Sequence, residues 1–176
     1  KKGTYFVADT LINRHPDTST LIDIARLSCD TVKFFNHTPV MAMLSYSNFG
    51  SDTEGSPAAV HAAVDYMQKA CPDLAIDGEM QVNFAMDKKL RDEKYPFTRL
   101  KGLDVNTLVF PNLSSANSGY KLIQTMSETE VIGPIQMGLN KPIHFTDIES
   151  SVRDIVNITA IAVIDAIVDK KKKCEK

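Results

Sequence analysis

The sequence predicts a three-layer α/β fold, in which helices flank a mainly parallel β-sheet. Short apolar runs alternate along the chain with longer stretches whose apolar residues recur every three or four positions, a pattern typical of β/α units. Most of the short runs end near Gly, Asn, Asp or Pro, which are common where strands end. The 176 residues, 43% of them hydrophobic, are enough to form a core.

Five short segments are predicted to be strands because they are apolar and bounded by turn residues. They are residues 5–8, 40–45, 74–76, 107–110 and 131–135. The first helix is predicted to begin after Pro16 and Asp17. One face of this helix should point into the core, since its apolar residues follow the helical repeat: Leu21, Ala25, Cys29, Val32 and Phe35.

The second helix is predicted from Ser56 as N-cap and Pro57 at the first helical position, and Pro72 should end it. Its predicted buried stripe consists of Val60, Ala63, Val64, Met67 and Cys71. A third, more polar helix is predicted over residues 80–94, and a fourth should begin at Ser114 as its cap.

The last helix is predicted over residues 152–169 and is apolar on nearly every side. A helix with one solvent-facing side would not carry so many apolar residues, namely Ile158, Ile161, Val163, Ile164 and Ile167. We therefore expect a missing domain or a second subunit to cover it. Because Lys1 and Lys2 lead straight into a strand with no initial Met, we also expect the chain to be a fragment.

The charge and cysteine content exclude several classes of function. With 20 basic and 22 acidic residues the net charge is -2, so neither nucleic acid nor an anionic membrane is an expected partner. No apolar run reaches about 18 residues and no secretory signal is present. The three cysteines and four histidines lack the spacing of a disulfide framework or a metal site, so the expected location is the reducing cytoplasm.

The first candidate site is the loop of residues 45–51, Ser-Tyr-Ser-Asn-Phe-Gly-Ser, which joins a strand to a helix. Backbone amides at such a junction can hold a phosphate, although the Lys of a P-loop is missing, and a plain turn explains the pattern as well. The second candidate is residues 111–121, again a polar loop entering a helix. There Gly119 permits close backbone approach and Lys121 could meet a ligand phosphate, or could simply be a surface lysine.

The third candidate is residues 147–154, Asp-Ile-Glu-Ser-Ser-Val-Arg-Asp, at the start of the last helix. Ser151 as N-cap would place Asp154 at the third helical position, which makes a capping arrangement. That role explains Asp154 without catalysis, and the helix dipole would make it a weaker base. Residues 77–79 also pair two carboxylates in what reads as a turn, either a cation site or a solvated loop.

Four stretches together resemble the second half of a phosphate acetyltransferase. They are Ala8-Asp9 with Asn13 and Pro16, residues 43–47 with Gly50-Ser51, residues 72–74 with 77–79, and residues 111–121. Residues 110–117 and 131–136 look most like the version of this module fused behind bacterial NADP-dependent malic enzymes. The resemblance covers nearly the whole chain and implies the three-layer fold that phosphate acetyltransferases share with isocitrate-dehydrogenase-like proteins.

In phosphate acetyltransferases the segment before the last helix reads Ser-Arg-Gly-Cys-Ser, and Asp-Ile-Val follows. The resemblance implies that the Asp takes a proton from the thiol of coenzyme A, the Arg holds acetyl phosphate and the Ser orients the reacting groups. Counted back from Asp154, Asp147 stands at the Ser position and Ile148 at the Arg position. Because the cation is lost and Asp147 would repel a phosphate dianion, we expect no transferase turnover, with Asp154 as a remnant. Arg153, at the second helical position, should face solvent rather than replace the cation.

The leading hypothesis is therefore a non-catalytic regulatory and oligomerisation domain of a malic enzyme, which decarboxylates malate oxidatively to pyruvate. The resemblance implies that acetyl-CoA or a related acyl-CoA binds it as an allosteric inhibitor of the malic-enzyme domain of the same chain, in a homo-oligomer. The alternatives are an active phosphate acetyltransferase, which makes CoA and acetyl phosphate from acetyl-CoA and phosphate, and a purely structural module. No cofactor is expected in this chain, whereas NADP and Mg²⁺ or Mn²⁺ are expected in the malic-enzyme domain.

The resemblance also suggests a domain division and a set of ligand-binding residues. Residues 1–130 are expected to form the second subdomain, residues 131–169 to return to the first subdomain, and residues 170–176 to form a lysine-rich tail. The expected ligand-binding residues come from all three candidate segments: Ser47, Gly50, Ser51, Asn117, Gly119, Tyr120, Lys121, Asp147, Ser150 and Asp154.

Overall fold

The computed structural model describes the backbone of residues 3–174 and the side chains of residues 3–170. The described chain forms four strands and six helices, in the order β1 (Phe6–Ala8), α1 (Thr18–Phe34), β2 (Val40–Leu44), α2 (Gly55–Ala70), β3 (Ala75–Met80), α3 (Val82–Met86), α4 (Lys88–Lys94), β4 (Thr107–Val109), α5 (Leu113–Met126) and α6 (Val152–Cys174). It divides into two compact units, Lys1–Leu122 and Ile123–Lys176.

The sheet of the first unit is parallel throughout, with the strand order β1-β4-β2-β3. Alternate residues of β2 belong to two different core clusters, because successive side chains of a strand point to opposite faces. Met41 and Met43 pack among the buried residues of α1 and α2. Ala42 and Leu44 belong to the second cluster, which includes Ala116 of α5. Helices therefore cover both faces of the sheet, and the predicted three-layer α/β fold is confirmed.

The helices α1 and α2 follow the predicted apolar repeats but start differently. Asp17 caps α1, since its carboxylate accepts a 2.8 Å hydrogen bond from the Thr20 amide, and this bond lowers the Asp17 pKa. The helix α2 begins at Gly55, so the prediction of Ser56 as its N-cap is wrong; Glu54 occupies that position without a side-chain cap bond. The predicted stripes are buried in both helices, except that Phe35 and Cys71 are only partly buried.

The predicted third helix, the cap of the fourth helix and the last predicted strand also differ from the structure. The helix predicted over residues 80–94 is interrupted by Asp87, whose carboxylate accepts from the Leu90 amide at 3.0 Å and so caps a second short helix, α4. The fourth helix is capped by Asn112, not Ser114, because Asn112 Oδ1 accepts from the Ser115 amide at 3.0 Å. Residues 131–135 have no strand structure.

The carboxylates of Asp77 and Glu79 lie in β3 and are buried, so the expectation of a turn there is wrong. Four hydrogen bonds satisfy Asp77: two come from Gly78 and Gln68, and two from Thr98 and Arg99 in the segment that follows α4. These four donors explain the burial of Asp77, since a buried carboxylate is stable only when it is fully hydrogen-bonded.

In the second unit, α6 extends to Cys174, beyond the predicted end at residue 169. Ile158 and Ile161 are buried, whereas Val163, Ile164 and Ile167 are about half exposed, so burial on several sides is not observed. The side chains of residues 171–176, most of the predicted lysine tail, lie outside the described residues. Within the described chain, no helix has both the length and the apolar character needed to cross a bilayer.

Candidate functional site

A shallow cleft lies at the carboxyl edge of the sheet, where β1 and β4 run side by side. The chain leaves β1 toward α1 on one face, and it leaves β4 toward α5 on the other. Adjacent parallel strands whose connections diverge in this way leave a crevice at their carboxyl ends, a common ligand site in open α/β sheets. Here the cleft measures about 460 Å³, within the usual range of small-molecule sites, and is lined by Leu11, Leu113, Ser114, Asn117 and Ser118.

The loop after β1 is fixed against the start of α5. Asn117 Nδ2 donates to the Thr10 carbonyl oxygen at 3.2 Å, and the Leu113 amide donates to the Asn13 carbonyl at 3.1 Å. Asp9 has a φ of 44°, in the left-handed region, and its carboxylate accepts from the Asn13 amide at 3.2 Å. These bonds hold both walls of the cleft in place, so its shape is preorganised.

The loop of residues 45–52 follows β2, on the other side of β4. Every backbone amide from Ser47 to Asp52 donates to an acceptor within the protein: in order, Ser45 Oγ, Ser51 Oγ, Glu79 O, Glu79 Oε1, Asn48 O and Ser47 Oγ. The loop is therefore a closed hydrogen-bonded turn, and these six amides are already engaged.

Glu79 lies at the centre of this network. Its side chain is 0% exposed, and its Oε1 accepts from Ser47 Oγ at 2.8 Å and from the Gly50 amide at 2.6 Å. Its Oε2 lies 3.0 Å from Nδ1 of His61, which is 47% exposed. Sequence patterns assigned no role to His61, because the histidines lack metal-site spacing, and they placed Glu79 in a turn that was either a cation site or a solvated loop. The structure joins them because β3 continues to Met80, four residues beyond the predicted end of the strand.

The outer part of the same loop carries a second polar pair. The Tyr46 hydroxyl donates to Asp52 Oδ2 at 2.7 Å, and both side chains are accessible to solvent. This hydrogen bond lowers the pKa of Asp52 and raises the pKa of Tyr46. The pair links the two ends of the loop.

On α5, the candidate residues differ in their surroundings. A Cβ at Gly119 would lie 3.1 Å from the Phe110 ring, so close packing against that ring accounts for the glycine. Tyr120 and Lys121 form a cation–π contact in which Lys121 Nζ lies 5.2 Å from the ring centroid. Both residues follow Asn117 and Ser118 of the cleft on the same helix.

The second unit contains the other candidate segment, and it is organised around two caps. The Asp147 amide donates to Ser150 Oγ at 2.9 Å, and the Ile148 amide donates to Asp147 Oδ1 at 2.7 Å. At the start of α6 the predicted capping box is present, with Ser151 N to Asp154 Oδ2 at 3.0 Å and Asp154 N to Ser151 Oγ at 3.2 Å. The hydrogen bond from the Ser151 hydroxyl lowers the Asp154 pKa most, followed by the Ser151 amide.

The segment presents no cation where the resemblance implies one. Ile148 is 99% exposed, and Arg153 instead forms a 2.6 Å ion pair with Glu130. Elsewhere in this unit His144 Nε2 lies 3.5 Å from Asp165, a pair that no sequence pattern indicated. Among the residues whose side chains are described, no group of three or more His, Cys, Asp or Glu could hold a metal ion.

The described fold is a doubly wound α/β domain with a cleft at the carboxyl ends of two neighbouring strands. Comparison with known proteins gives its family: the model described as "Phosphate acetyl/butaryl transferase" matches residues 1–163. The chain belongs to this family.

Relatives include two kinds of enzyme. The chain is 39% identical over 165 residues to the NADP-dependent malic enzyme of Salmonella typhimurium, covering 93% of this chain and 22% of that protein. It is 40% identical over 167 residues to the phosphate acetyltransferase of Clostridium acetobutylicum, covering 94% of this chain and 50% of that one. The chain therefore spans half or less of the length of these relatives.

The fold is also that of solved structures. The EutD phosphotransacetylase from Staphylococcus aureus superposes with a TM-score of 0.84 and 32% identity, over 96% of this chain and 52% of that chain. The candidate residues divide between the two units, with Ser47, Gly50, Ser51 and residues 117–121 in the first and Asp147, Ser150 and Asp154 in the second.

Proposed function

We propose that this chain is a non-catalytic regulatory and oligomerisation domain of a malic enzyme and that it binds acetyl-CoA or a related acyl-CoA. The observation that carries the proposal is the segment of residues 147–154. The positions at which the family resemblance implies a catalytic Ser and Arg hold Asp147, which caps its own turn, and Ile148, which is fully exposed. A phosphoryl group bound there would meet a carboxylate and no guanidinium.

The electrostatics of this segment oppose acetyl transfer between acetyl phosphate and CoA. Loss of one positioned charge-stabilising group typically costs about 3 kcal/mol of transition-state stabilisation. Asp154 is a poor base, because its hydrogen bonds with Ser151 favour the carboxylate and lower its pKa. Arg153 is engaged with Glu130 and does not supply the missing charge.

Binding requires less than catalysis, and the first unit supplies what binding needs. The cleft beside Asn117 is preorganised, and Tyr120 and Lys121 follow on the same helix. We assign the cleft to the acyl-CoA and propose that Gly50 and Ser51, which are exposed in the loop after β2, contact the same ligand. Ser47 is buried in that loop and Gly119 packs against Phe110, so both act only through the local backbone shape. Acyl-CoA would inhibit the malic-enzyme domain of the same chain by binding one of its conformational states more tightly. NADP and Mg²⁺ or Mn²⁺ would belong to that domain.

The exposed side chains of α6 support the oligomerisation part of the proposal. Val156, Val163, Ile164 and Ile167 are each half exposed or more, which is unusual for aliphatic residues grouped on one helix. A homo-oligomeric cytoplasmic enzyme would bury them at an interface.

Calorimetry and an activity assay on the whole protein that contains this chain test the proposal. Acetyl-CoA should bind with a saturable heat, and the same concentration range should inhibit oxidative decarboxylation of malate. The absence of heat at saturating acetyl-CoA would leave only the purely structural module.

An active phosphate acetyltransferase is the second candidate, because the chain is as similar to the Clostridium acetobutylicum enzyme, 40% identical over 167 residues, as it is to the malic enzyme. It predicts that CoA and acetyl phosphate are converted into acetyl-CoA. Turnover that disappears in Asp154→Ala would refute the regulatory proposal. Turnover by the purified protein that persists in this variant would also refute the regulatory proposal, and it would show that Asp154 is not required for the reaction.

A further inference from the structure

Glu79 accepts three hydrogen bonds from the loop at the carboxyl end of β2. Its carboxylate accepts from Ser47 Oγ and the Gly50 amide, and its backbone carbonyl accepts from the Phe49 amide at 2.8 Å. Phe49 has a φ of 47° and Gly50 a φ of 84°, both in the left-handed region. A bulky residue there persists only when its surroundings hold it, and Glu79 accepts from the two peptide N–H groups that flank the Cα of Phe49.

His61 is the partner that makes a buried charge at Glu79 tolerable. A carboxylate removed from water requires several donors or a cation, and Glu79 receives the Ser47 hydroxyl, the Gly50 amide and the His61 ring. With Nδ1 directed at Glu79, His61 can donate in its neutral or its charged form. The ring is half exposed on α2, so the network joins the interior of the loop to the surface.

We propose that Glu79 is the positioning residue of the acyl-CoA site and that His61 is its supporting partner. The inference rests on the proposed function, because the loop of residues 45–52 contains Gly50 and Ser51, the members of the candidate set that are exposed there. Ser47 is 1% exposed, so it acts on a ligand only through the shape of the loop. Glu79 itself touches no ligand, and it fixes where Gly50 and Ser51 stand.

Hydrogen exchange measured on the whole protein without ligand tests the positioning step. Glu79→Gln keeps the size of the side chain but removes its charge, and the amides of residues 47–52 should exchange about tenfold faster or more. Glu93→Gln, the same change at an exposed residue of α4, should leave them unchanged. Unchanged exchange in Glu79→Gln overturns the proposal.

His61 provides a surface variant for the case in which Glu79→Gln fails to fold. Asn can place an amide donor near the position of Nδ1, whereas Leu cannot. His61→Leu should therefore speed exchange in the loop and His61→Asn should restore most of the protection. Equal exchange rates in the two variants would mean that the protection of the loop does not depend on a hydrogen-bond donor at residue 61. That result would overturn the supporting role of His61.

Calorimetry with acetyl-CoA connects the loop to the ligand. Glu79→Gln and His61→Leu should weaken binding about fivefold or more, whereas His61→Asn should stay within about twofold of the unmodified protein. Faster exchange with unchanged affinity overturns the positioning role and leaves Glu79 a stability residue only. If the unmodified protein binds no acetyl-CoA, the proposed function itself fails, and the exchange data still show whether Glu79 orders the loop.

Discussion

The guanidinium of Arg153 lies 2.6 Å from Glu130 Oε1, and the two side chains are 71% and 51% exposed. Solvent screens a pair of this kind, which contributes about 0 to 1 kcal/mol to the free energy of unfolding. The pair bears on the proposed function, because Arg153 directly precedes Asp154 and is the arginine that could replace the missing cation. In this structure it is paired with Glu130 instead.

Arg153→Ala should therefore be a mild change. We expect its free energy of unfolding to fall by less than about 1 kcal/mol and its acetyl-CoA affinity to be unchanged. Chemical denaturation and calorimetry measure both. A tenfold loss of affinity would mean that Arg153 contacts the ligand and replaces the missing cation.

Ser151→Ala should loosen the start of α6 by removing the hydroxyl that bonds to Asp154 and its amide. Loss of an N-cap costs about 0.5–2 kcal/mol, and the local effect should appear as faster amide exchange over residues 152–156. Ser127→Ala, which removes a serine hydroxyl outside α6, serves as the control. Equal exchange in the two variants would show that the capping box contributes nothing.

The cap should also depend on pH. The Asp154 pKa is lower in the folded chain than its ordinary value of 3.8. Its stabilisation should therefore be complete above about pH 4 and should disappear as the pH falls through the folded pKa. Carbon chemical shifts of the Asp154 side chain, followed from pH 7 to pH 2, report the midpoint, and a midpoint above 3.8 would contradict the structure.

Gly78→Ala should be strongly destabilising. An added Cβ would stand 2.5 Å from the Met43 carbonyl oxygen, and the φ of 148° is one that L-residues rarely adopt. We expect a loss of about 3 kcal/mol or more in the free energy of unfolding. Gly102→Ala, where φ is 76° and nothing lies within 4 Å, should cost only about 1 kcal/mol. Similar losses of unfolding free energy in the two variants would mean that the positive φ alone causes the effect and that the contact with Met43 does not contribute.

Leu21→Ala should cost about 2–5 kcal/mol, because Leu21 is 1% exposed and lies in the core cluster between α1, α2 and the sheet. Leu122→Ala makes the same chemical change at a side chain that is 60% exposed and should change the stability by no more than about 0.5 kcal/mol. Urea denaturation of the pair provides the comparison. A large loss of stability in Leu122→Ala would mean that another part of the protein buries Leu122.

Asn117→Ala should weaken acetyl-CoA binding, because it removes an amide from the cleft and the bond that holds the Thr10 carbonyl. We expect a loss of about fivefold or more in affinity measured by calorimetry. Asn83→Ala, an exposed position on α3, is the matched control. If both variants bind as the unmodified protein does, the cleft is not the ligand site.

Local chemistry explains which parts of the fold were predictable. The apolar repeats of α1 and α2 and the Ser151–Asp154 box are determined by residues close in sequence, and these predictions are confirmed. The prediction of a turn at residues 77–79 is wrong because Asp-Gly-Glu is typical of an exposed turn, whereas its carboxylates find donors 18 to 32 positions away, at His61, Thr98 and Ser47. Such long-range partners leave no pattern in a single sequence.

The same limit applies to the site. Asn117 was predicted from the resemblance, and the structure adds that it lines a cleft with Leu11, whose place beside α5 follows from the strand order. The hydrogen bond between the Gly50 amide and Glu79 was not predicted, since neither periodicity nor a motif connects the two residues.

The half-exposed aliphatic side chains of α6 would also determine the heat capacity change and the enthalpy of association at the interface proposed for that helix. Removing them from water makes the heat capacity change of association negative and leaves little enthalpy near room temperature. Association at this helix should therefore become more exothermic as the temperature rises and should weaken on cooling. Cold storage, commonly chosen to preserve enzymes, would favour dissociation at this surface.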